Sequence, residues 1–263
     1  MRNDHEIDYR IYGEELQYVE IELDPNETAI AESGAFMMMD NDIYMNTIFG
    51  DGSRQQNDSV LGKIFSAGKR LLVGESLFMT SFTNIGQGKK RVSFAAPFAG
   101  KIIAFDLQQL GGKIVAQKDA FLCAAKGVRV GIEFQKRLGT GIFGGEGFIM
   151  EKLEGDGFAF AHAGGYVIER ELKAGEIVKV DTGCVVAYTA GVDFDIEFIK
   201  GIKNWMFGGE GLFFAILRGP GKVWLQSLPI SRLAGRILQY GMYKRKEEGS
   251  VLGGLGDLLD GRE

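Results

Sequence analysis

The sequence predicts a mainly β protein, built as three repeated antiparallel β units around a pseudo-threefold axis, with one α-helix near the C-terminal end. Three observations predict it: a glycine excess, a segment pattern that recurs along the chain, and a single amphipathic stretch after the last recurrence. Glycine accounts for 39 of 263 residues and proline for only 4, against usual shares of about 7% and 5%. With no Gly-X-Y period, and with 45% hydrophobic and 25% charged residues, collagen and disorder are both excluded. What remains is a turn-rich globular chain, because glycine supplies the positive φ of tight turns and bulges.

The recurrence is clearest between residues 127–153, GVRVGIEFQKRLGTGIFGGEGFIMEKL, and residues 191–217, GVDFDIEFIKGIKNWMFGGEGLFFAIL, with 12 of 27 positions identical. Upstream, 112–125 (GKIVAQKDAFLCAA) aligns with 175–188 (GEIVKVDTGCVVAY), and 26–39 (NETAIAESGAFMMM) fits the same columns. Gly34, Ala120 and Gly183 then share one position. A unit of about 60 residues with short Gly-punctuated apolar runs reads as a small antiparallel sheet, and one such unit cannot hide its apolar face alone. The reading is therefore a single domain over 1–263: repeat 1 at 8–110, repeat 2 at 111–173 and repeat 3 at 174–229. Repeat 1 carries an inserted loop and short helix at 50–73. From 230 to 246, Leu233, Ile237, Leu238 and Met242 line one face of a helix, with Pro229 before it and Ser231 as N-cap. A glycine-rich tail occupies 249–263.

Candidate chemistry is sparse. The Gly-Glu-Gly/Ser triplets place one carboxylate per repeat, Glu75, Glu146 and Glu210. If they converge they could share a cation; otherwise each braces a turn. Glu32, Lys118 and Asp181 occupy a second column, but their alternating sign argues against a shared ligand. Of the two histidines, His5 is expected in a frayed terminus, and His162 follows alternating aromatics, with Ala96 and Gln226 as its repeat counterparts. It reads either as a strand histidine or as a general base. No GxSxG, HExxH or Walker-type motif occurs, so serine hydrolase, zincin and P-loop chemistry have no support. The FGGEG loops lack the Lys-Ser/Thr of a phosphate loop and carry a repelling carboxylate.

Thirty basic against 35 acidic residues, a net charge of −5, give no field for phosphate backbones, so nucleic acid is not an expected partner. Cys123 and Cys184 show no metal or redox spacing and read as small apolar residues in a reducing cytoplasm. No apolar run approaches the ~18 residues of a membrane span, and no cofactor is expected.

Several segments taken in order carry a resemblance: Gly74-Glu-Ser-Leu-Phe, Phe94-Ala-Ala-Pro with Gly100-Lys-Ile-Ile, Gln117-Lys-Asp-Ala-Phe-Leu, Gly144-Gly-Glu-Gly-Phe, Val180-Asp-Thr-Gly, Gly208-Gly-Glu-Gly-Leu-Phe and Gly219-Pro-Gly-Lys-Val-Trp-Leu-Gln-Ser-Leu-Pro. Together they resemble the bacterial branch of the altered-inheritance-of-mitochondria 24 family, from about residue 8 to 240. The resemblance implies a fold like that of the tryptophan RNA-binding attenuation protein, a short double-stranded β-helix variant, repeated three times. It brings no catalytic residues. Mitochondrial members are associated with inner-membrane organisation, which implies a scaffold-like role. Where relatives have Gly after the proline of the first turn, this chain has Asn26, which tolerates the same turn. The expectation is thus a non-enzymatic cytoplasmic protein with a protein partner or a homo-oligomeric assembly. The alternatives are a small-molecule or cation binder at the inter-repeat centre, and a hydrolase or isomerase using His162.

Overall fold

The computed structural model describes residues 4–32, 34–49, 78–136, 147–199, 212–237 and 240. Among the described residues the chain is mainly β, as expected, with one α-helix near the C-terminal end. After an opening strand β1 (Asp8–Tyr12), six strands follow: β2 (Tyr18–Leu23), β3 (Thr28–Glu32), β4 (Phe36–Met39), β5 (Ile43–Phe49), β6 (Phe78–Asn84) and β7 (Lys90–Ala95). A second six are β8 (Gly100–Asp106), β9 (Lys113–Gln117), β10 (Phe121–Ala125), β11 (Arg129–Lys136), β12 (Phe148–Glu154) and β13 (Phe158–Gly164). The third six are β14 (Val167–Leu172), β15 (Ile177–Asp181), β16 (Val185–Thr189), β17 (Asp193–Ile199), β18 (Leu212–Arg218) and β19 (Gly221–Gln226). Helix α1 spans 230–237.

The same four antiparallel pairings occur in each set. In the first they are β2 with β7, β3 with β6, β5 with β6, and β4 with β7. The second set pairs β8 with β13, β9 with β12, β11 with β12, and β10 with β13. The third pairs β14 with β19, β15 with β18, β17 with β18, and β16 with β19. Each of β4, β10 and β16 also carries a register shift near its start, the local bend of a β-bulge.

The sets are joined by strand pairing. β10 pairs with β3 and β16 with β9, so two six-stranded sheets form, β5-β6-β3-β10-β13-β8 and β11-β12-β9-β16-β19-β14. Two smaller sheets remain, β1-β2-β7-β4 and β15-β18-β17. The larger apolar cluster draws mainly on the first two sets, with Ile21, Phe82, Phe94, Phe105 and Phe160 fully buried. A second cluster around Phe148, Met150, Leu217 and Val223 fills the space between the second and third.

Local chemistry explains the turns. Asn26 takes a φ of 71°, so the first turn does accept asparagine in place of glycine. Asn84, fully buried, donates to the carbonyls of Leu23 (2.9 Å) and Gly88 (2.8 Å) and closes the end of β6. The N-terminal end departs from expectation. Asp4 accepts from the amides of Asp156 (2.7 Å) and Gly157 (3.0 Å), and His5 Nδ1 accepts from the amide of Thr28. Residues 4 and 5 are therefore tied down by polar groups of distant loops, which a frayed end would leave to water. Ser231 is not the cap of α1: the Pro229 carbonyl accepts from the amides of Arg232 and Leu233, which places Ser231 inside the first turn. The inserted segment at 50–73 and the tail at 249–263 lie outside the described residues.

Candidate functional site

Two sites gather polar side chains in apolar surroundings. The first is a pocket of about 280 Å³ where the second and third strand sets meet beneath α1. A 3-10 turn follows β9 (Lys118–Ala120) and another follows β15 (Thr182–Cys184), and they bring Asp119 and Gly183 to the pocket lining. Asp181 caps the second turn by accepting from the Gly183 amide at 2.9 Å. Pro229, Ile230, Ser231 and Ala234 close the pocket from the helix side.

His162 of β13 lines this pocket and is 2% exposed. Its ring stands edge-on to Phe98, centroids 4.4 Å apart. Nothing bulkier than glycine fits beside it: a Cβ on Gly100 would come 2.8 Å from Nε2 and 2.0 Å from the Ala163 carbonyl oxygen. Burial pushes the imidazole down to about 4, with the Phe98 backbone opposing, so it is neutral at pH 7. Among the described residues Nε2 has no hydrogen-bond partner. Gln226, its counterpart in the third repeat, is fully engaged: its amide donates to the Gly183 carbonyl (2.8 Å) and accepts from the Gly164 amide (2.7 Å). The same position thus stitches two strand sets in one repeat and leaves a bare nitrogen in another.

Cys184 sits near the helix side, its sulfur 3.7 Å from Arg232 Nη2. Burial first, then the Asp181 charge, pushes its thiol up, and Cys123 is fully buried and raised for the same first reason. Neither has the lowered pKa of a nucleophilic thiolate.

The second site is a buried acidic group. Glu151 of β12 is 0% exposed, and neither carboxyl oxygen has a hydrogen-bond partner among the described residues. Burial, then the charge of Glu32, pushes it up to about 8, while Lys118 opposes. Glu32 is pushed up to about 7, chiefly by burial. The structure therefore brings Glu32 and Lys118 of the mixed-sign column into the electrostatic reach of Glu151. Among the described residues no three His, Cys, Asp or Glu side chains are placed to hold a metal ion. Glu75, Glu146 and Glu210 lie outside the described residues.

Sequence reasoning singled out His162 but missed Glu151, whose counterparts in the aligned triplet segments are Thr80 and Ala215. The available signal was that one charged residue stands in a column otherwise small or neutral, directly after the apolar run Phe148-Ile149-Met150.

Comparison with known proteins adds three findings. The family model described as "Mitochondrial biogenesis AIM24" matches residues 9–228. An uncharacterized protein of Streptococcus pyogenes serotype M6 is 31% identical over 227 residues, covering 84% of this chain and 86% of the relative. The crystal structure of a Streptococcus pyogenes protein from a structural-genomics consortium superposes with a TM-score of 0.68 at 23% identity, covering 89% of this chain and 99% of that one. At that identity the last likeness speaks to the fold alone.

Proposed function

The chain belongs to the mitochondrial biogenesis AIM24 family, and from that premise we propose that it works by contact, as a cytoplasmic interaction protein without catalysis of its own. One observation carries the reading. Phe36, Met37, Met38 and Met39 of β4 are each between 39% and 48% exposed, and Tyr44 and Met45 of the next strand are exposed as well. Large apolar side chains grouped on an edge strand mark an interaction surface, and methionine adapts to varied partners. A scaffold for a membrane-associated complex is the role that family membership suggests. Among the described residues no helix is long and apolar enough to cross a membrane, so such a contact would be peripheral.

The test is proximity labelling in the native host with the wild-type chain and a Met37→Lys/Met39→Lys variant. The expected result is a set of neighbours that the variant loses while still folding by circular dichroism. An unchanged set would sink the assignment of the working surface to β4.

The His162 pocket favours a second reading, a site for a small polar molecule, because an unpartnered buried nitrogen is costly unless something occupies it. Its volume lies near the lower end of ligand pockets, roughly 300–1,000 Å³. Thermal-shift screening with small polar solutes, using His162→Gln as the control, tests it. A screen in which no solute stabilises the wild type more than the variant removes this reading.

A further inference from the structure

We propose that β4 of one copy pairs antiparallel with β15 of a second copy, completing head to tail the sheet that each chain leaves in halves. The inference rests on the interaction reading above and names the partner. Both six-stranded sheets are assembled in the same way: three strands of one set, ending in β3 or β9, meet three strands of the next, beginning with β10 or β16. The two small sheets are the unmatched halves of this plan. β15-β18-β17 ends in the strand that corresponds to β3 and β9, and β1-β2-β7-β4 ends in the strand that corresponds to β10 and β16.

Burial points the same way. β10 is buried at all five positions and β16 at four of five, whereas β4 is exposed at all four. On the other side β3 and β9 are each buried at four of five positions, while β15 has none buried and Ile177 is 56% exposed. Yet β4 keeps the composition of a covered strand, Phe-Met-Met-Met, and β15 keeps Ile177, Val178 and Val180, its Lys179 being held by Glu197 at 2.8 Å. Exposed edges that are not destined for pairing usually carry charges, proline or a covering element, and β4 carries none of them. β1 covers the β2 edge of its sheet, not the β4 edge.

The register follows from the two joints already made. Ala124 lies opposite Ile30 and Ala125 opposite Ala29; in the next joint Ala187 lies opposite Ala116 and Tyr188 opposite Val115. Under the alignment of 26–39 with 112–125 and 175–188, both joints predict the same partners, Met38 opposite Lys179 and Met39 opposite Val178. Among the described strands β4 and β15 do not pair with each other within the chain, so the missing neighbour is supplied by another molecule. Such a contact is heterologous, and its repetition gives a ring or a filament.

Cysteine crosslinking of the full chain tests this. Single variants Met38→Cys and Lys179→Cys, each with Cys184→Ser and with different tags, are mixed and oxidised. Directly opposed residues across strands lie within reach of a disulfide. The expected product is a species of twice the chain mass carrying both tags, formed at least ten times more than either same-tag product. A Met38→Cys/Lys179→Cys double variant should give a ladder of multimers. A double variant that seals only within one chain, a mixture that links Met38 to Met38, or a chain that stays monomeric in light scattering at high concentration would each overturn the proposal. Loss of self-pairing with retained β4-dependent neighbours in the host would sink only the choice of partner, whereas loss of both would sink the interaction reading as well.

Discussion

Substituting Glu151→Gln should flatten the pH dependence of stability on its alkaline side. The native state holds the Glu151 proton up to about pH 8, against an ordinary value of 4.5, because the carboxyl is buried away from water with the Glu32 charge acting on it. Between those values the folded chain binds more protons than the unfolded one, so stability falls as pH rises. At about 1.4 kcal/mol per pH unit, the fall from pH 5 to pH 8 is on the order of 4 kcal/mol, and it is complete above pH 8. Glutamine has the same shape and no charge to desolvate. Glu32, pushed up to about 7 by burial, loses stability in the same direction as pH rises, and His162, lowered to about 4, acts with the opposite sign, losing stability as pH drops from 6.5, but both contributions are common to both proteins. The assay is urea unfolding followed by circular dichroism at pH 5 and pH 9. The two chains should be within about 1 kcal/mol of each other at pH 5, and the variant should be more stable by several kcal/mol at pH 9. Parallel profiles for wild type and variant would show that Glu151 ionises freely in the fold and would refute the argument from burial.

Four substitutions test other parts of the frame, read by the same circular dichroism with urea unfolding wherever folded protein is obtained. Gln226→Leu strands the Gly183 carbonyl and the Gly164 amide, and should cost about 2–4 kcal/mol; a loss below about 0.5 kcal/mol would mean that water reaches both groups. Asp4→Ala removes the acceptor of the Asp156 and Gly157 amides, with an expected loss of about 2–4 kcal/mol, whereas truncation of a truly frayed end would be silent. Gly100→Ala drives a methyl against the Ala163 carbonyl oxygen, while at Gly34, with φ of +96°, a Cβ meets nothing within 4 Å. The first should fail to give folded protein, and the second should lose only about 1 kcal/mol to backbone strain.

The β class was legible because turn glycines and short apolar runs are local signals, and α1 because its apolar spacing changes to a helical period. Asn26 was legible for the same reason: a turn position restricts its own residue. Asp4 and His5 were not, since their partners lie at Asp156, Gly157, Lys126 and Thr28, and no spacing along the chain announces a contact over that separation. Glu151 was hidden differently. A glutamate in a strand ordinarily faces water, and only pairing of β12 with both β9 and β11, under a core contributed by other strands, turns it inward. His162 was visible as an oddity, but its environment depends on Phe98, Gly100 and a helix more than sixty residues later.

The exposure of β4 has a topological cause that no side chain could have removed. Within each set, β3, β9 or β15 stands at the end of one three-strand group, and β4, β10 or β16 at the end of another. Each set therefore extends two half-sheets toward different neighbours and completes neither alone. Three sets joined in line make two full sheets and must leave two halves. The remaining freedom lies in how the outer edges are dressed, and β4 is dressed differently from β14. β14, an outer edge of its sheet, presents Glu169, Arg170 and Glu171 to solvent, a pattern that discourages pairing. β4 presents three methionines instead. Of these two edges, one protected by charge and one left apolar, the second is the one meant to be covered.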